Sequence, residues 1–450
     1  MNSGLYRKLA GLSLIALNNF EGRCVYRCKK HLDKTQWMKK RDLQRLQIKR
    51  LKALLKHAYE NVPYYHESFR RQNFRPTDFK CLEDLRRVQI LKKSAIRKNS
   101  NEMIAKNVPK KELVCRFTSG TTAAPVRFYR GKTDVSWGIG AELRGYGWAG
   151  YEVGDKLALI WTFVPGEVRK FAFHLKNFLR RNKILNVYYL SEKNIASFAK
   201  KMHRFKPDFI RGYSSAVNIF ATFILQNNRF NISPRAIFTS GQTLLPNYQK
   251  TIEETFNCEI YDYYATSEVS HIAAQCEQHE GLHIFEENIF VEIVKDDEPA
   301  SIGEEGKVLL TNLHSYAMPF IRYDIGDVGK IFPDTCSCGR ELSLLKPIGR
   351  TYEYFVNRDG SFTYLRDFQT VFGDLPIKDF QVVQESYDEI IVKVVRRPGY
   401  SKAHTDFILK NVKYHTAREA KIRVELVDSI PLEGSGKIRH TVSKIATKYT

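Results

Sequence analysis

Residues 117–128 read FTSGTTAAPVRF, with Thr118, Ser119, Gly120, Thr121 and Thr122 set between an apolar and a basic segment. Four hydroxyls around one glycine make a poor helix and a poor strand. They suit a loop whose backbone N–H groups and hydroxyls converge on an anion such as phosphate. Taken alone, the stretch also reads as an ordinary polar turn. The surrounding chain has to decide.

Downstream of the loop, short apolar runs (KLALIWTF, DFIRGY, RAIFTSG and EIYDYY) alternate with helical stretches such as 214–228. That alternation predicts α/β layering around a mostly parallel sheet. From GKVLLTN onward the pattern shifts toward strands and tight turns. Upstream, RDLQRLQIKRLKALLKHAYENVPYY puts Leu51, Leu54, Leu55, Ala58 and Tyr59 on one helical face, with Asn61 and Pro63 as stop signals. Segment 81–100 reads as a further basic helical piece. Past Arg350, DFQVVQESYDEIIVKVVRRPG reads as a hairpin, HTDFILKNVKYHT as a helix and KIRVELVDSI as a strand. The expected organisation is a large layered domain over 1–349, opened by a helix-rich basic segment 1–110, and a small α+β domain over 350–450.

With 450 residues and 43% hydrophobic content the chain is globular and long enough for one large and one small unit. No run approaches the roughly 20 apolar residues of a membrane span. The opening MNSGLYRKLAGLSLIALNNF has a short apolar stretch and no clean cleavage pattern, so it reads as an amphipathic lead-in rather than a signal. Eight unevenly placed cysteines do not describe a disulfide scaffold, which favours a reducing, cytoplasmic setting. Residues 1–110 hold 27 Lys and Arg against 9 Asp and Glu, so +18 of the net +23 sits in the first quarter. That bears on partners rather than on fold.

Two tempting phosphate motifs fail. GKT at 131–133 lacks the upstream glycine of a P-loop, since Val126 stands there, and GSGK at 434–437 is followed by Ile438 rather than Ser or Thr. Four separated pieces do combine: TSGTT (118–122), YATSE (264–268), RYDIGD (322–327) and PLEGSGKIRH (431–440). In this order they resemble the core motifs of the adenylate-forming superfamily. HAYENVPYY, LTNLHSYAMPFIRYDIGD and CSCGR narrow the likeness to the phenylacetate–coenzyme A ligase branch, including the CapK-like proteins of capsule biosynthesis. The resemblance runs from about residue 40 to the end.

It implies an ATP- and Mg²⁺-dependent ligase that turns a small carboxylic acid into an acyl-adenylate, then passes the acyl group to coenzyme A or another thiol or amine. The nucleophile is already ionised, so the burden is positioning and charge neutralisation. On the matching positions, the loop Thr118–Thr122 would wrap the ATP phosphates and Glu268 would hold Mg²⁺. Gly241 and Tyr264 would lie by the adenine, Ser267 by the α-phosphate, and Asp327 and Arg350 by the ribose. Lys437 would reach the forming bond as a point charge with three donors. Ala123 and Ala124 replace residues usually Gly or Lys, leaving Arg127 or Arg130 to supply that charge. Ala265 replaces a usual glycine, and Tyr352 stands at a hinge position where an acidic residue is common.

A second constellation is metal-like. CEQHEGLH supplies Cys276, His279 and His283, and CSCGR supplies Cys336 and Cys338. Thiolate and imidazole donors in two knuckles suit tetrahedral Zn²⁺, and the resembled branch carries such a site. Cys276, His283, Cys336 and Cys338 are the preferred set, with His279 as the alternate. His271 is placed near the acyl pocket or in the core.

The competing function is a degenerate ligase scaffold that binds a polyanion or the inner membrane surface through residues 1–110. No motif supports sequence-specific nucleic-acid binding. A homodimer is left open.

Overall fold

The computed structural model describes residues 3–117, 127–162, 170–187, 191–227, 229–350, 354–356, 362–364, 371–372, 375–415, 420–431 and 438–445. The loop 118–122, Ala123, Ala124, Tyr352 and Lys437 lie outside these residues, as does the side chain of Arg350.

Helices α1 (Ser3–Phe20) and α2 (Val25–Thr35) lead into α3 (Lys40–Asn61) and α4 (Pro63–Arg71). Leu51, Leu54, Leu55 and Ala58 of α3 are fully buried, as their spacing requires. Each buried leucine contributes about 1.5–3 kcal/mol. The stop at Asn61 is real but brief: Val62 alone is extended, and Pro63 opens the next helix, where its missing N–H is no loss. Segment 81–100 differs from the helix expected there. It holds a 3₁₀ segment Leu82–Arg87, an extended stretch, and the short α5 (Lys93–Lys98). The extended stretch lets Leu91 bridge to Tyr323, a tertiary pairing that outweighs local helical pattern.

Strands β1 (Leu113–Phe117) and β2 (Arg127–Gly131), which precede and follow the hydroxyl-rich stretch in sequence, pair antiparallel. Then follow α6 (Lys132–Trp148), β3 (Leu157–Trp161), α7 (Lys170–Leu179), β4 (Asn182–Asn186), α8 (Glu192–Phe205), β5 (Phe209–Tyr213), α9 (Ser214–Gln226), β6 (Ala236–Ser240), α10 (Pro246–Phe256) and β7 (Glu259–Thr266). Strands β4, β3, β5, β6 and β7 lie side by side in parallel. The sheet continues through β8 (Ser270–Gln275), β9 (Leu282–Ile284), β10 (Ile289–Lys295), β11 (Glu298–Pro299), β12 (Gly306–Asn312), β13 (Tyr323–Ile331) and β14 (Leu344–Arg350), all antiparallel. The result is α/β as expected, but the sheet is not mostly parallel. Of its twelve strands the five from β4 to β7 run parallel, and the other seven join antiparallel because they are linked by tight turns rather than by crossover helices.

Period-two alternation sorts the parallel strands between two cores. Ala158, Ile160, Ile210, Ile237 and Ile260 face α8, α9 and α10. Leu157, Leu159, Phe209, Phe238, Tyr261 and Tyr263 face α6, with Leu32 of α2 behind it. A third core joins α3 and α4 to the antiparallel half through Leu310, Phe320 and Tyr323.

The last hundred residues make a small hairpin, β15 (Tyr354–Val356) with β16 (Phe362–Tyr364), and a four-stranded sheet. In that sheet β17 (Ile377–Ser386) and β18 (Glu389–Arg396) form the expected hairpin. After α11 (Lys402–His415), β19 (Lys421–Leu426) and β20 (Thr441–Ser443) add on in parallel. All eight cysteines are free thiols. Among the described residues no helix is long and apolar enough to cross a membrane.

Candidate active site at the strand ends

In open α/β sheets ligands bind beyond the carboxyl ends of the parallel strands. Here β6 ends at Ser240 and turns through Gly241, whose φ of +77° is strained for any residue with a Cβ. Strand β7 ends in the tight turn to β8, which carries Ser267 on the surface and Glu268 beneath it. RYDIGD arrives from the antiparallel side, and each of its polar residues has a distinct task. Arg322 is buried: its Nε meets Glu292 at 3.0 Å, and its Nη1 donates to the carbonyls of Arg86 and Val88 at 3.0 and 2.8 Å. Tyr323 donates to Glu268 Oε1 at 3.0 Å, and the Gly326 N–H donates to Asp324 Oδ1 at 2.8 Å. The Tyr264 hydroxyl donates to Asp327 Oδ2 at 2.6 Å. Two motifs thus meet through two hydrogen bonds between residues 63 and 55 apart in sequence. Arg350 is the backbone partner of Asp327 across β13 and β14.

The C-terminal part docks on the Gly241 turn and on α10. Gln242, next to Gly241, accepts from Ser215 Oγ at 2.7 Å and donates to the Ile438 carbonyl at 3.1 Å. That contact brings the residue following Lys437 against the Gly241 turn. Behind it, Tyr248 donates to Asp379 Oδ1 at 2.9 Å, and His440 Nε2 lies 3.0 Å from Tyr248 and 3.1 Å from Asp379. Arg397 Nη2 donates to Thr251 Oγ1 at 2.7 Å. The buried aromatic ring of Phe380 adds apolar contact on the same side.

Of the two arginines offered for the missing loop cation, Arg130 is excluded. It is buried and makes two bonds of 2.7 Å to Asp134, whose Oδ1 also accepts from Asn312 at 2.9 Å. Arg127, at the start of β2, is exposed.

The four preferred metal-ligand residues converge. One donor atom each from Cys276, His283, Cys336 and Cys338 lies within 4.8 Å of all the others. The Sγ atoms of Cys276 and Cys336 are 3.6 Å apart, and Cys338 Sγ is 3.4 Å from His283 Nε2. Bonds of about 2.3 Å to sulfur and 2.0 Å to nitrogen put the corresponding tetrahedral edges at about 3.8 and 3.5 Å. The donor set therefore fits zinc. His283 Nδ1 faces the Leu342 carbonyl at 3.3 Å, the outer contact that orients a ligating imidazole. Burial, with Arg340 and Arg144 nearby, lowers the His283 imidazole to about 4 and keeps it in its neutral, ligating form. Burial also pushes the Cys276 and Cys336 thiols up, so a cation is what would hold them as thiolates. His279 stands apart, its Nε2 3.8 Å from Glu259.

Sequence reasoning placed His271 near the acyl pocket or in the core but missed Glu142 and Tyr146, the partners that meet it on the α6 face. Glu142 of α6 receives Arg211 of β5, His271 of β8 and Tyr146 at one oxygen, Oε1, at 2.5, 3.3 and 2.9 Å. The available signal was Arg211 itself, a charge inside the apolar run DFIRGY. Helix α6 comes this close because two glycines face the sheet. A Cβ on Gly138 would sit 2.3 Å from Ser270 Oγ, and one on Gly145 would sit 2.7 Å from the Tyr263 hydroxyl.

Residues 355–444 match the family described as the CapK C-terminal domain. Protein CapK of Staphylococcus aureus is 24% identical over 421 residues, covering 90% of each chain. Phenylacetate-coenzyme A ligase of Escherichia coli (strain K12) is 29% identical over 328 residues, covering 70% of this chain and 73% of that one. The crystal structure of 2-hydroxyisobutyryl-CoA ligase in the postadenylation state, in complex with R3-HIB-AMP, superposes with a TM-score of 0.77 at 21% identity, covering 92% of both chains. The motif order, the joined strand ends and these likenesses agree: the chain is a homologue of the AMP-forming acid–thiol ligases of the phenylacetate–coenzyme A ligase and CapK branch, on the adenylate-forming fold.

Proposed function

We propose that the protein activates a small carboxylic acid with ATP, forming an acyl-adenylate and pyrophosphate, and then transfers the acyl group to coenzyme A or a related thiol or amine. The observation that carries this reading is the meeting of Tyr264 with Asp327, and of Glu268 with Tyr323, together with the contact of Ile438, the residue after Lys437, to Gln242 beside the Gly241 turn. Asp327 accepts the ribose hydroxyls, with Tyr264 fixing its carboxylate. Gly241 leaves room beside the base, and Ser267 donates toward the α-phosphate. The hydroxyl-rich loop from Thr118 to Thr122 encloses the departing phosphates, with Arg127 as the added cation. Glu268 is held at one oxygen by Tyr323, which leaves a carboxylate oxygen suited to a hard ion. Mg²⁺ bound there would neutralise phosphate charge. Lys437, on the unit 350–450, neutralises the attacking carboxylate and α-phosphate together. Zn²⁺ on Cys276, His283, Cys336 and Cys338 serves as a structural staple. The likeness to CapK supports capsular polysaccharide biosynthesis as the setting.

The test is ATP–pyrophosphate exchange across a panel of carboxylic acids, with and without coenzyme A. Exchange with at least one acid is expected, and Lys437→Ala should lower it by about 10²–10³. A broad panel without exchange would overturn the ligase reading. For the metal, analysis after dialysis against a weak chelator should find one zinc per chain. The Cys336→Ser, Cys338→Ser double variant should lose it.

A surface role for the basic first quarter rests on a different observation. Leu9 and Leu12 of α1 are 50% and 62% exposed, and Leu175 and Phe178 of the adjoining α7 are 48% and 65% exposed. Exposed apolar side chains joined to a segment of net positive charge suit the boundary of an anionic leaflet, where each basic residue adds on the order of 1 kcal/mol. Co-sedimentation with anionic vesicles should exceed that with neutral ones and fade with salt. Equal binding to both kinds of vesicle would remove this role.

A further inference from the structure

The nucleotide chemistry leaves the Arg211–Glu142–His271 cluster unused, and three observations say that it faces a ligand. The first is position. Arg211 stands two residues before Tyr213, which pairs with Ser240 beside the Gly241 turn. His271 pairs with Ala265, between Tyr264 and the Glu268 turn. The cluster therefore adjoins both nucleotide segments without sharing a residue with either.

The second observation is openness. The side chains of Arg211 and Glu142 keep 23% and 12% of their exposure. The contacts described at Glu142 fall on Oε1, and Arg180 also feels the charge of this carboxylate. The third is an unmet polar atom. The hydroxyl of buried Tyr263, packed beside Tyr146 and His271, has no hydrogen-bond partner among the described residues. Aromatic faces complete the surroundings. The Arg211 guanidinium lies 4.9 Å from the ring of Trp161, which stacks on Tyr213 at 4.0 Å.

We propose that this cluster selects the acid, and that the acid is one bearing a neutral hydroxyl group on a flat, compact body. This deepens the ligase reading and rests on it. The choice of hydroxyl follows from the charges. A second carboxylate on the substrate would meet Glu142, and an ammonium would meet Arg211. A bare alkyl or aryl end would strip water from an ion pair and return no hydrogen bond. A hydroxyl can donate to the carboxylate and accept from the guanidinium at once. The Trp161–Tyr213 stack gives a flat substrate a matching wall. Burial opposes ionisation of Glu142, but Arg211 and His271 outweigh it and hold the carboxyl below its ordinary range. It is thus an acceptor at neutral pH.

The experiment is pyrophosphate exchange with matched pairs of acids that differ by one hydroxyl, such as phenylacetate against hydroxyphenylacetate and benzoate against hydroxybenzoate. The full-length protein is expected to favour a hydroxylated member by tenfold or more in kcat/KM. A site built around a substrate hydroxyl rejects the analogue lacking it far more strongly than a methylene-sized pocket discriminates. In Glu142→Gln and Arg211→Met the preference should fall below threefold, mainly through KM of the hydroxylated acid, while Arg211→Lys should restore part of it. Thermal unfolding of each variant separates this effect from misfolding. If Glu142→Gln does not fold, the Arg211→Met and Arg211→Lys pair carries the comparison. Exchange that favours the unsubstituted acids, or an unchanged preference in the variants, would overturn the proposal and leave the ligase reading standing. No exchange with any acid would overturn both.

Discussion

Two of the ion pairs that helix α6 carries have the same chemistry and opposite character. Arg144 and Glu287 are sealed, with 1% and 0% of their side chains exposed. The guanidinium grips both carboxylate oxygens, at 2.6 and 3.2 Å, and also donates to the Leu32 carbonyl at 3.1 Å. Thr35 adds a bond of 2.6 Å to Glu287. This pair fastens α2 and α6 to the turn before β10. The Arg211–Glu142 pair lies near the strand ends, makes its closest contact at a single oxygen, and stays partly exposed. A polar group closed on every side holds structure, whereas one left ajar at a strand end is available to a ligand. A third acid, the half-buried Asp262 of β7, completes the comparison. It has the Thr239 hydroxyl at 2.7 Å in place of a cation, and burial raises it to about 7.

The largest effect is expected at the sealed pair. Glu287→Ala strands the Arg144 charge, which typically costs about 3–5 kcal/mol. The denaturation midpoint should drop accordingly, and a shift below about 1 kcal/mol would show that the seal is incomplete.

The middle effect belongs to Asp262. Its folded form holds a proton more tightly than the unfolded chain does, so its contribution is full below the ordinary carboxyl value and is lost as pH rises through about 7. Asp262→Asn should therefore flatten the stability profile between pH 4 and 7. Unfolding curves at several pH values check this, and an unchanged slope would mean that Asp262 is hydrated.

The smallest effect should come from the open pair. Glu142→Gln keeps its volume and its hydrogen-bonding oxygen, so less than about 1.5 kcal/mol is expected from the same unfolding curves. A loss as large as that of Glu287→Ala would mean that the two pairs do not differ in kind.

The layered fold was legible because it is written in local periodicity: the runs KLALIWTF, DFIRGY, RAIFTSG and EIYDYY became β3, β5, β6 and β7 in parallel. The extended stretch through Leu91 was not, because its partner Tyr323 lies over 200 residues away and the local pattern is helical. The antiparallel half of the sheet was visible only as a drift toward strands and turns. Its joining to the parallel half depends on the β7–β8 pairing, which period-two alternation does not encode. For the site, motif order gave Tyr264, Glu268 and Asp327, and spacing gave the Cys/His knuckles. The choice of His283 over His279 needed three dimensions, since both sit in CEQHEGLH. Glu142 belongs to no motif. Only the helix–sheet contact at Gly138 and Gly145 brings it to Arg211.

The basic first quarter is no detachable arm. Leu51, Leu54 and Leu55 share a core with Leu310, Phe320 and Tyr323, and Tyr323 in turn holds Glu268. Lys40 ties to Glu286 at 2.6 Å and Lys39 to Glu341 at 2.8 Å. Positive charge and the proposed reaction centre are in this sense parts of one packed body. A surface that captured the charge would also set the compass bearing of the strand ends, and with it the direction from which an acid enters and an acyl group leaves.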